Sequence, residues 1–269
     1  MNLLSTKPET KDLARSSIVP LQTGALIVNA DDWGRDKEVT DRTLDCRLKG
    51  AVSSVSAMTF MEDSERAAAL ALEHQIDTGL HLNFTTPFRA SNCPPKLAAQ
   101  QHRLQRYLLS HRFAQIIYYP GLAGAFQYVV SAQLEEFYRL YGAAPDRIDG
   151  HHHMHLCANV LLGELMPAGT LVRRNFSFLP GEKNWVNRFY RKSVDRLLKR
   201  RHRLVDYLFS LEPVGLPDRL QRIVSLARHA IVELETHPVN PDEYRFLTSS
   251  EIVSKLAGLP PSLRFCAVR

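Results

Sequence analysis

A chain of 269 residues with 45% hydrophobic and 23% charged residues can bury a full core and has the balance of a soluble globular protein. No apolar run approaches the roughly 20 residues of a bilayer span, and the polar stretch Met1 to Pro20 lacks the apolar centre of a signal peptide, so it reads as a flexible leader before a domain at 21–269. Four scattered cysteines (Cys46, Cys93, Cys157, Cys266) without a CxxC pair exclude a disulfide framework and point to reduced thiols in the cytoplasm, while the net charge of +6 suggests anionic company.

The first element in the chain also holds the first chemistry. Ala25 to Ala30 is an apolar run that predicts a short buried strand, with Asp31 and Asp32 at its C-terminal end and Gly34 breaking it. Two adjacent carboxylates repel, and burying them costs several kcal/mol unless a cation or hydrogen bonds compensate. A divalent metal is one compensation; the commoner use of such a pair is to cap the following helix. Asp36 to Leu48 then reads as a helix stopped by Gly50, Val52 to Met58 as a strand and Asp63 to Glu73 as an Ala-rich helix. In the strand Asp77 to Asn83, alternation puts Gly79, His81 and Asn83 on one face.

A Pro-rich insertion, 87–95, precedes helices over Leu97 to Leu109 and Ala123 to Tyr141, the second striped by Phe126, Val130, Leu134, Phe137 and Tyr141. A strand follows from Arg147 to about His153, then a short helix, Val160 to Leu165, and a short strand, Leu171 to Arg174. The basic segment after it reads as an amphipathic helix with Val186, Tyr190, Val194, Leu197 and Leu204 at helical spacing. Asp218 to His229 is helical, Ala230 to Glu235 a strand, Ser249 to Leu256 helical and Leu263 to Val268 a closing strand.

Alternating strands and helices imply parallel strands with helical crossovers. The expected fold is α/β, a single (β/α) barrel-like domain of about seven or eight strands. Asp31, Asp32, His81, His151 and His237 each fall at the C-terminal end of a strand candidate, the face where such barrels build active sites. The run His151-His152-His153-Met154-His155 adds imidazoles, ligands suited to Zn²⁺ and similar ions. In an extended chain Asp149, His151, His153 and His155 would point one way.

The segments Asn29-Ala30-Asp31-Asp32-Trp33-Gly34, Gly79-Leu80-His81-Leu82-Asn83 and Asp149-Gly150-His151-His152-His153-Met154-His155 together resemble the YdjC family, and Glu235-Thr236-His237-Pro238 resembles its fourth motif. That family includes chito-oligosaccharide deacetylases and hopanoid-biosynthesis-associated deacetylases. The resemblance runs from Ala25 to about Pro241. It implies a barrel-like fold, one divalent ion (Mg²⁺ or Zn²⁺) held by Asp32, His81 and His151, and hydrolysis of an N-acetyl group from an amino sugar. Trp33 stands where Phe is more usual and Val239 where a small residue is, and Leu179 to Arg203 matches no motif.

The residues fit that chemistry. Two His and one carboxylate leave positions open for water and a carbonyl. Asp31 is the candidate general base, next to a ligand but expected to point elsewhere, and His237 the candidate acid for the leaving amine. Asn83 either orients the acetamide or only satisfies a strand end, and His153 is a candidate substrate contact. Of Arg173 and Arg174, which end a strand, one contacts substrate or orients Asp31, or both lie in a solvated loop. Eight Arg or Lys residues against one acid between Arg188 and Arg203 make 185–203 a candidate peripheral contact with an anionic membrane at the inner face, hence with a lipid-linked glycan; nucleic acid is not expected, and a homodimer is left open. The rival readings are another metal hydrolase, such as a phosphoesterase, and a non-catalytic sugar- or lipid-binding protein of glycan assembly.

Overall fold

The apolar run at Ala25 continues as a strand through both aspartates: β1 spans Ala25–Trp33 and every residue in it is buried. The structure, a computed structural model, describes residues 24–111, 113–178, 185–214, 216–250 and 252. The leader at 1–20 and the closing strand expected at Leu263 to Val268 lie outside the described residues, as does most of the helix expected at Ser249 to Leu256.

After β1 come α1 (Lys37–Leu48), β2 (Ser54–Ala57), α2 (Ser64–Glu73), β3 (Asp77–Leu82), α3 (Pro95–Leu108), α4 (Ala123–Tyr141), β4 (Arg147–Gly150) and α5 (Ala158–Leu162). Then follow β5 (Leu171–Val172), α6 (Trp185–Leu198), β6 (Tyr207–Ser210), α7 (Pro217–Leu226), β7 (Ile231–Thr236) and α8 (Pro241–Leu247). The seven strands pair in the order β5-β4-β3-β2-β1-β7-β6, all parallel. The sheet curls into a half-barrel with helices around it. Backbone contacts bridge its two edges: Val172 N donates to Arg203 O (2.9 Å), Arg203 N to Thr170 O (3.1 Å) and Ser177 N to Leu208 O (2.8 Å).

Strand periodicity divides the core. On β1, Leu26, Val28 and Ala30 face outward into the main cluster beneath the helices, with Val55, Leu80, Ile148, Val232 and Leu234. Each fully buried Leu or Val there contributes roughly 1.5–3 kcal/mol. The inner face is apolar only at the bottom, where Ile27, Leu171 and Val205 pack with Ile231. Above them register aligns Asn29 with Ser54 and Glu235, Ile27 with Glu233, and His81 with Asp149. The interior therefore becomes polar towards the C-terminal ends of the strands. Arg147 crosses this interior to reach Asn29 Oδ1 (3.3 Å) and Val55 O (3.0 Å). It passes so close to Gly79 that a Cβ there would meet its side chain and carbonyl at 3.0 Å.

Local signals explain most helix limits. Asp36 caps α1 by accepting from Val39 N (2.9 Å), and Gly142, at φ 74°, ends α4 in the left-handed conformation that glycine tolerates best. Four elements differ from expectation. β4 ends at Gly150 and not near His153. β6 and α8 had no strong pattern, and α6 stops at Leu198 instead of continuing to Leu204. The inward face of α6 is Val194, Asp195 and Leu198, while Val186 and Tyr190 are exposed. Among the described residues no helix is long and apolar enough to cross a membrane.

Candidate active site

The two aspartates converge because β1 is not regular. Its pairing with β2 slips between Ala30 and Trp33, and Asp32 adopts φ 65°. Strict alternation would send adjacent side chains to opposite faces; a bulge with one left-handed residue returns the second carboxylate to the first one's side. The expectation that Asp31 points away from the ligand position is thus corrected. His81 Nε2 lies 3.3 Å from Asp32 Oδ1 and 3.9 Å from Asp31 Oδ2. Asp is among the residues that tolerate such a φ best, because its short polar side chain clashes least.

His151 does not continue an extended strand. β4 ends at Gly150, and 151–156 form a tight helical turn in which His152 and His153 are both left-handed (φ 53° and 57°). The four residues expected to align therefore separate. His151 turns back to place Nδ1 2.8 Å from Asp32 Oδ1. His152 is exposed and stacks on His151, its ring centroid 4.0 Å away. His153 sets Nε2 3.3 Å from Glu235 Oε2 and its ring edge-on to Phe176. His155 is buried with Nε2 3.0 Å from Arg173 O, and burial pushes it down to about 3, so it stays neutral and structural.

Asp32, His81 and His151 offer one carboxylate oxygen and two ring nitrogens, all within 4.8 Å of one another. The donor set fits a divalent ion, and the surroundings reinforce the fit. His81 donates its Nδ1 proton to Asp149 Oδ1 (2.7 Å), which turns Nε2 towards Asp32. A carboxylate behind a ligating imidazole fixes its tautomer and raises its basicity. Burial alone would raise Asp32, but hydrogen bonds and charges from His151 and His81 hold it well below the usual carboxylate range. Arg35 takes its other oxygen at 2.7 Å.

Asp31 belongs to a second network, centred on Arg173. The buried guanidinium grips Asp31 through both oxygens (2.6 and 2.7 Å) and also reaches Asp149 (2.9 Å), Glu233 (2.7 Å) and Glu235 (3.1 Å). One cation among four carboxylates leaves the cavity floor acidic, which favours a further cation at its mouth. Asp31, Glu235 and His237 also cluster within ligand distance of each other, but Arg173 already supplies the positive charge to both acids. With its side chain fully buried, Arg173 is placed to hold Asp31, which is one of the roles the sequence left open for it.

Asn83 is engaged locally, in keeping with the strand-end reading. Its Oδ1 accepts from Thr85 N (3.1 Å) and Thr86 N (2.9 Å), its Nδ2 donates to Thr86 O (2.6 Å), and the residue is buried, so it closes the turn after β3. His237, at the end of β7, is only half-buried and faces Asp31 and Glu235, each 3.9 Å from Nε2. Burial would lower it, but the charges of Asp31, Glu235, Asp32 and Glu243 raise it above the ordinary histidine value. Glu243 accepts the His237 backbone N–H (2.7 Å), and burial pushes its carboxyl up to about 7. Asp149, Glu233, Glu235 and Glu243 had no assigned role in the sequence. Alternation of Glu233 and Glu235 in an apolar strand was their signal, and it reads equally well as a solvated face.

Beside Phe176 a cleft of about 980 Å³ opens between Ser210, Glu212, Pro213, Asp242 and Arg245. Residues 25–257 match a family described as YdjC-like protein. The chain is 32% identical over 132 residues to a chitooligosaccharide deacetylase of Proteus mirabilis (strain HI4320), covering 49% of this chain and 50% of that one. It is 33% identical over 135 residues to a carbohydrate deacetylase of Geobacillus stearothermophilus, covering 50% and 51%. The chain thus spans about half the length of the curated relatives it matches. A crystal structure from Enterococcus faecalis V583, of a protein named for cellobiose-phosphate cleavage, superposes with a TM-score of 0.61 at 19% identity, covering 87% of this chain and 94% of that one; at that identity it shows the fold alone.

Proposed function

The chain belongs to the YdjC-like protein family, and from that premise we propose that it is a metal-dependent carbohydrate N-deacetylase. The observation that carries the reading is the convergence of Asp32, His81 and His151 on one point, with Asp31 and His237 facing each other beside it. An ion held by those three residues supplies the Lewis acidity that polarises an amide carbonyl and eases deprotonation of water.

The protein's own residues do the rest. Arg173 and Asn29 fix Asp31 in one orientation, yet a carboxylate has about four lone-pair directions, so Oδ2 keeps acceptor capacity towards His237 and His81. Asp31 takes the proton of the attacking water as the new C–O bond forms. His237, held in its acidic form by the surrounding carboxylates, donates a proton to the nitrogen as the C–N bond breaks, and acetate and the free amine leave. His153, lying between Glu235 and Phe176 at the cleft, is placed to contact the sugar.

An acetate-release screen tests the reading, with free, nucleotide-linked and lipid-linked N-acetylhexosamines and a series of divalent metals. Activity should require metal and vanish in Asp32→Ala, His81→Ala and His151→Ala, each losing stoichiometric metal with the fold retained. Release of phosphate without acetate, or metal retained in all three variants, would refute it.

A further inference from the structure

The strongest feature outside the site is the outer face of α6. Its inner face is fixed: Val194 and Leu198 are buried, and buried Asp195 accepts from Arg174 (2.6 and 3.1 Å) and Asn175 N (3.2 Å). Helical spacing then sends Trp185, Phe189, Lys192 and Arg196 outward along one stripe, and exposed Arg200 follows in the turn after α6. All five are exposed, Trp185 at 78% and Phe189 at 63%. Val186 (55%) and Tyr190 (41%) flank the aromatic end, and Arg188 and Lys199 add exposed charge.

Folding gains nothing from turning Trp and Phe into water, and a merely solvated helix face needs neither. Within 185–203 Asp195 is the one acid, and it points inward to Arg174. Two aromatic rings at one end and five exposed cations behind them complement one surface in particular, the headgroup region of an anionic bilayer. There the rings sit at the interface and the cations face phosphates.

We infer that the outward face of α6 with the turn after it, Trp185 to Arg200, is a docking surface for an anionic membrane. The helix is tied to the site through its opposite side. Arg174 follows Arg173 in sequence, and Arg191 lies over Phe178, 4.8 Å from the ring centre, two residues beyond Phe176. A docked α6 therefore holds the strand end of the candidate site at the lipid surface. On the deacetylase reading, which this consequence alone rests on, the acetamido sugar is carried on a membrane-borne anchor.

The chain has two tryptophans, and Trp33 is fully buried, which gives a selective probe. The full-length protein is titrated with phosphatidylcholine vesicles with and without 30% phosphatidylglycerol, in plain and acyl-brominated forms. Binding should require the anionic lipid. It should weaken steeply between 50 and 300 mM salt, because a Debye length near 8 Å screens such attraction. Brominated lipid should quench Trp185 alone, so Trp185→Phe should lose the quenching while still binding. Each basic residue at an anionic surface is worth about fivefold in affinity, so Lys192→Glu/Arg196→Glu/Arg200→Glu should lose on the order of 10²-fold or more. Circular dichroism and metal content confirm that the variants fold.

Absence of vesicle binding, equal binding to neutral vesicles, or full binding by the triple charge reversal would each overturn the inference. So would self-association abolished by Trp185→Ser/Phe189→Ser without any lipid binding, which would make the stripe a protein interface. The vesicle result does not depend on turnover, so failure of the deacetylase reading leaves the docking test standing.

Discussion

Asp149→Asn separates a metal-holding role of His81 from a merely structural one. The carboxylate is shared unequally. Oδ1 faces His81 Nδ1 (2.7 Å), and Oδ2 faces two donors, Ser56 Oγ (2.6 Å) and Arg173 Nη2 (2.9 Å). Asn offers only one oxygen. Two donors, one charged, claim it, so the amide N–H₂ turns to His81 Nδ1. That nitrogen must then accept, the ring proton moves to Nε2, and Nε2–H points at Asp32. The imidazole atom that would bind the ion is blocked. Loss of a partner behind a ligand typically costs 10–100-fold in metal affinity, or about 1.4–2.8 kcal/mol. Stability should change by no more than about 1 kcal/mol, because Arg173 keeps three other carboxylates. Calorimetric titration of the metal-free protein with Zn²⁺ measures the affinity, and thermal melting the stability. An affinity within threefold of the parent protein, with the fold intact, would refute the tautomer reasoning and the place of His81 in the metal site.

Three further outcomes follow from the same networks. Asp31→Asn and His237→Ala should each lower kcat by at least about 10²-fold with metal retained. The raised His237 must lose its proton as pH climbs past the ordinary value near 6.5, so the alkaline limb of the kcat profile should vanish in His237→Ala; an unchanged limb would remove it from the mechanism. Arg173→Met should destabilise by about 3–5 kcal/mol in urea at pH 7, as expected for stranding buried partners. Burial alone would raise Glu235, but Arg173 and His153 hold it at about 2, a contribution present above the unfolded carboxylate range and lost as pH falls towards 2. The Arg173→Met deficit should therefore shrink in acid, and a pH-independent deficit would count against the charge account. Glu243, at about 7 in the folded protein against 4.5 unfolded, binds its proton more tightly when folded, so it costs stability as pH rises through that window. Glu243→Gln keeps an acceptor for the His237 N–H and should flatten the slope of melting temperature between pH 4.5 and 7.

Much of this architecture is legible in residue order because the strands are simple. The Ala25 run, the His81 strand and the whole of α4 follow from apolar period, cap and stop residues, and the acids and imidazoles fall at strand ends. What escapes depends on backbone departures without a sequence marker. The slip at Asp31-Asp32 uses no Gly, and the turn at His152-His153 uses neither Gly nor Pro, so both read as extended chain. β6, only Tyr207–Ser210, is too short to show a period, and it follows a basic run that dominates any window. Glu233, Glu235 and Arg173 mislead for another reason. Alternating charge normally marks a wet face, but in a curled sheet the polar face turns inward, and only the fold reveals that these charges meet.

The loosely bridged edges of the sheet carry a mechanical consequence. β1 and β7 lock through six aligned residue pairs, whereas β5 and the chain leading into β6 meet, among the described residues, through separate exchanges around Gly169, Val172, Arg203 and Ser177. The wall is thus a spring clip and not a closed hoop. On one jaw stand Arg173 and the His153 turn; on the other stand Glu235 and His237. Ion pairs latch the two together: Arg173 Nη1 lies 3.1 Å and His153 Nε2 3.3 Å from the same Glu235 oxygen. Glu235, the carboxylate that His237 also faces, is thus the catch on which the two ends of the sheet meet.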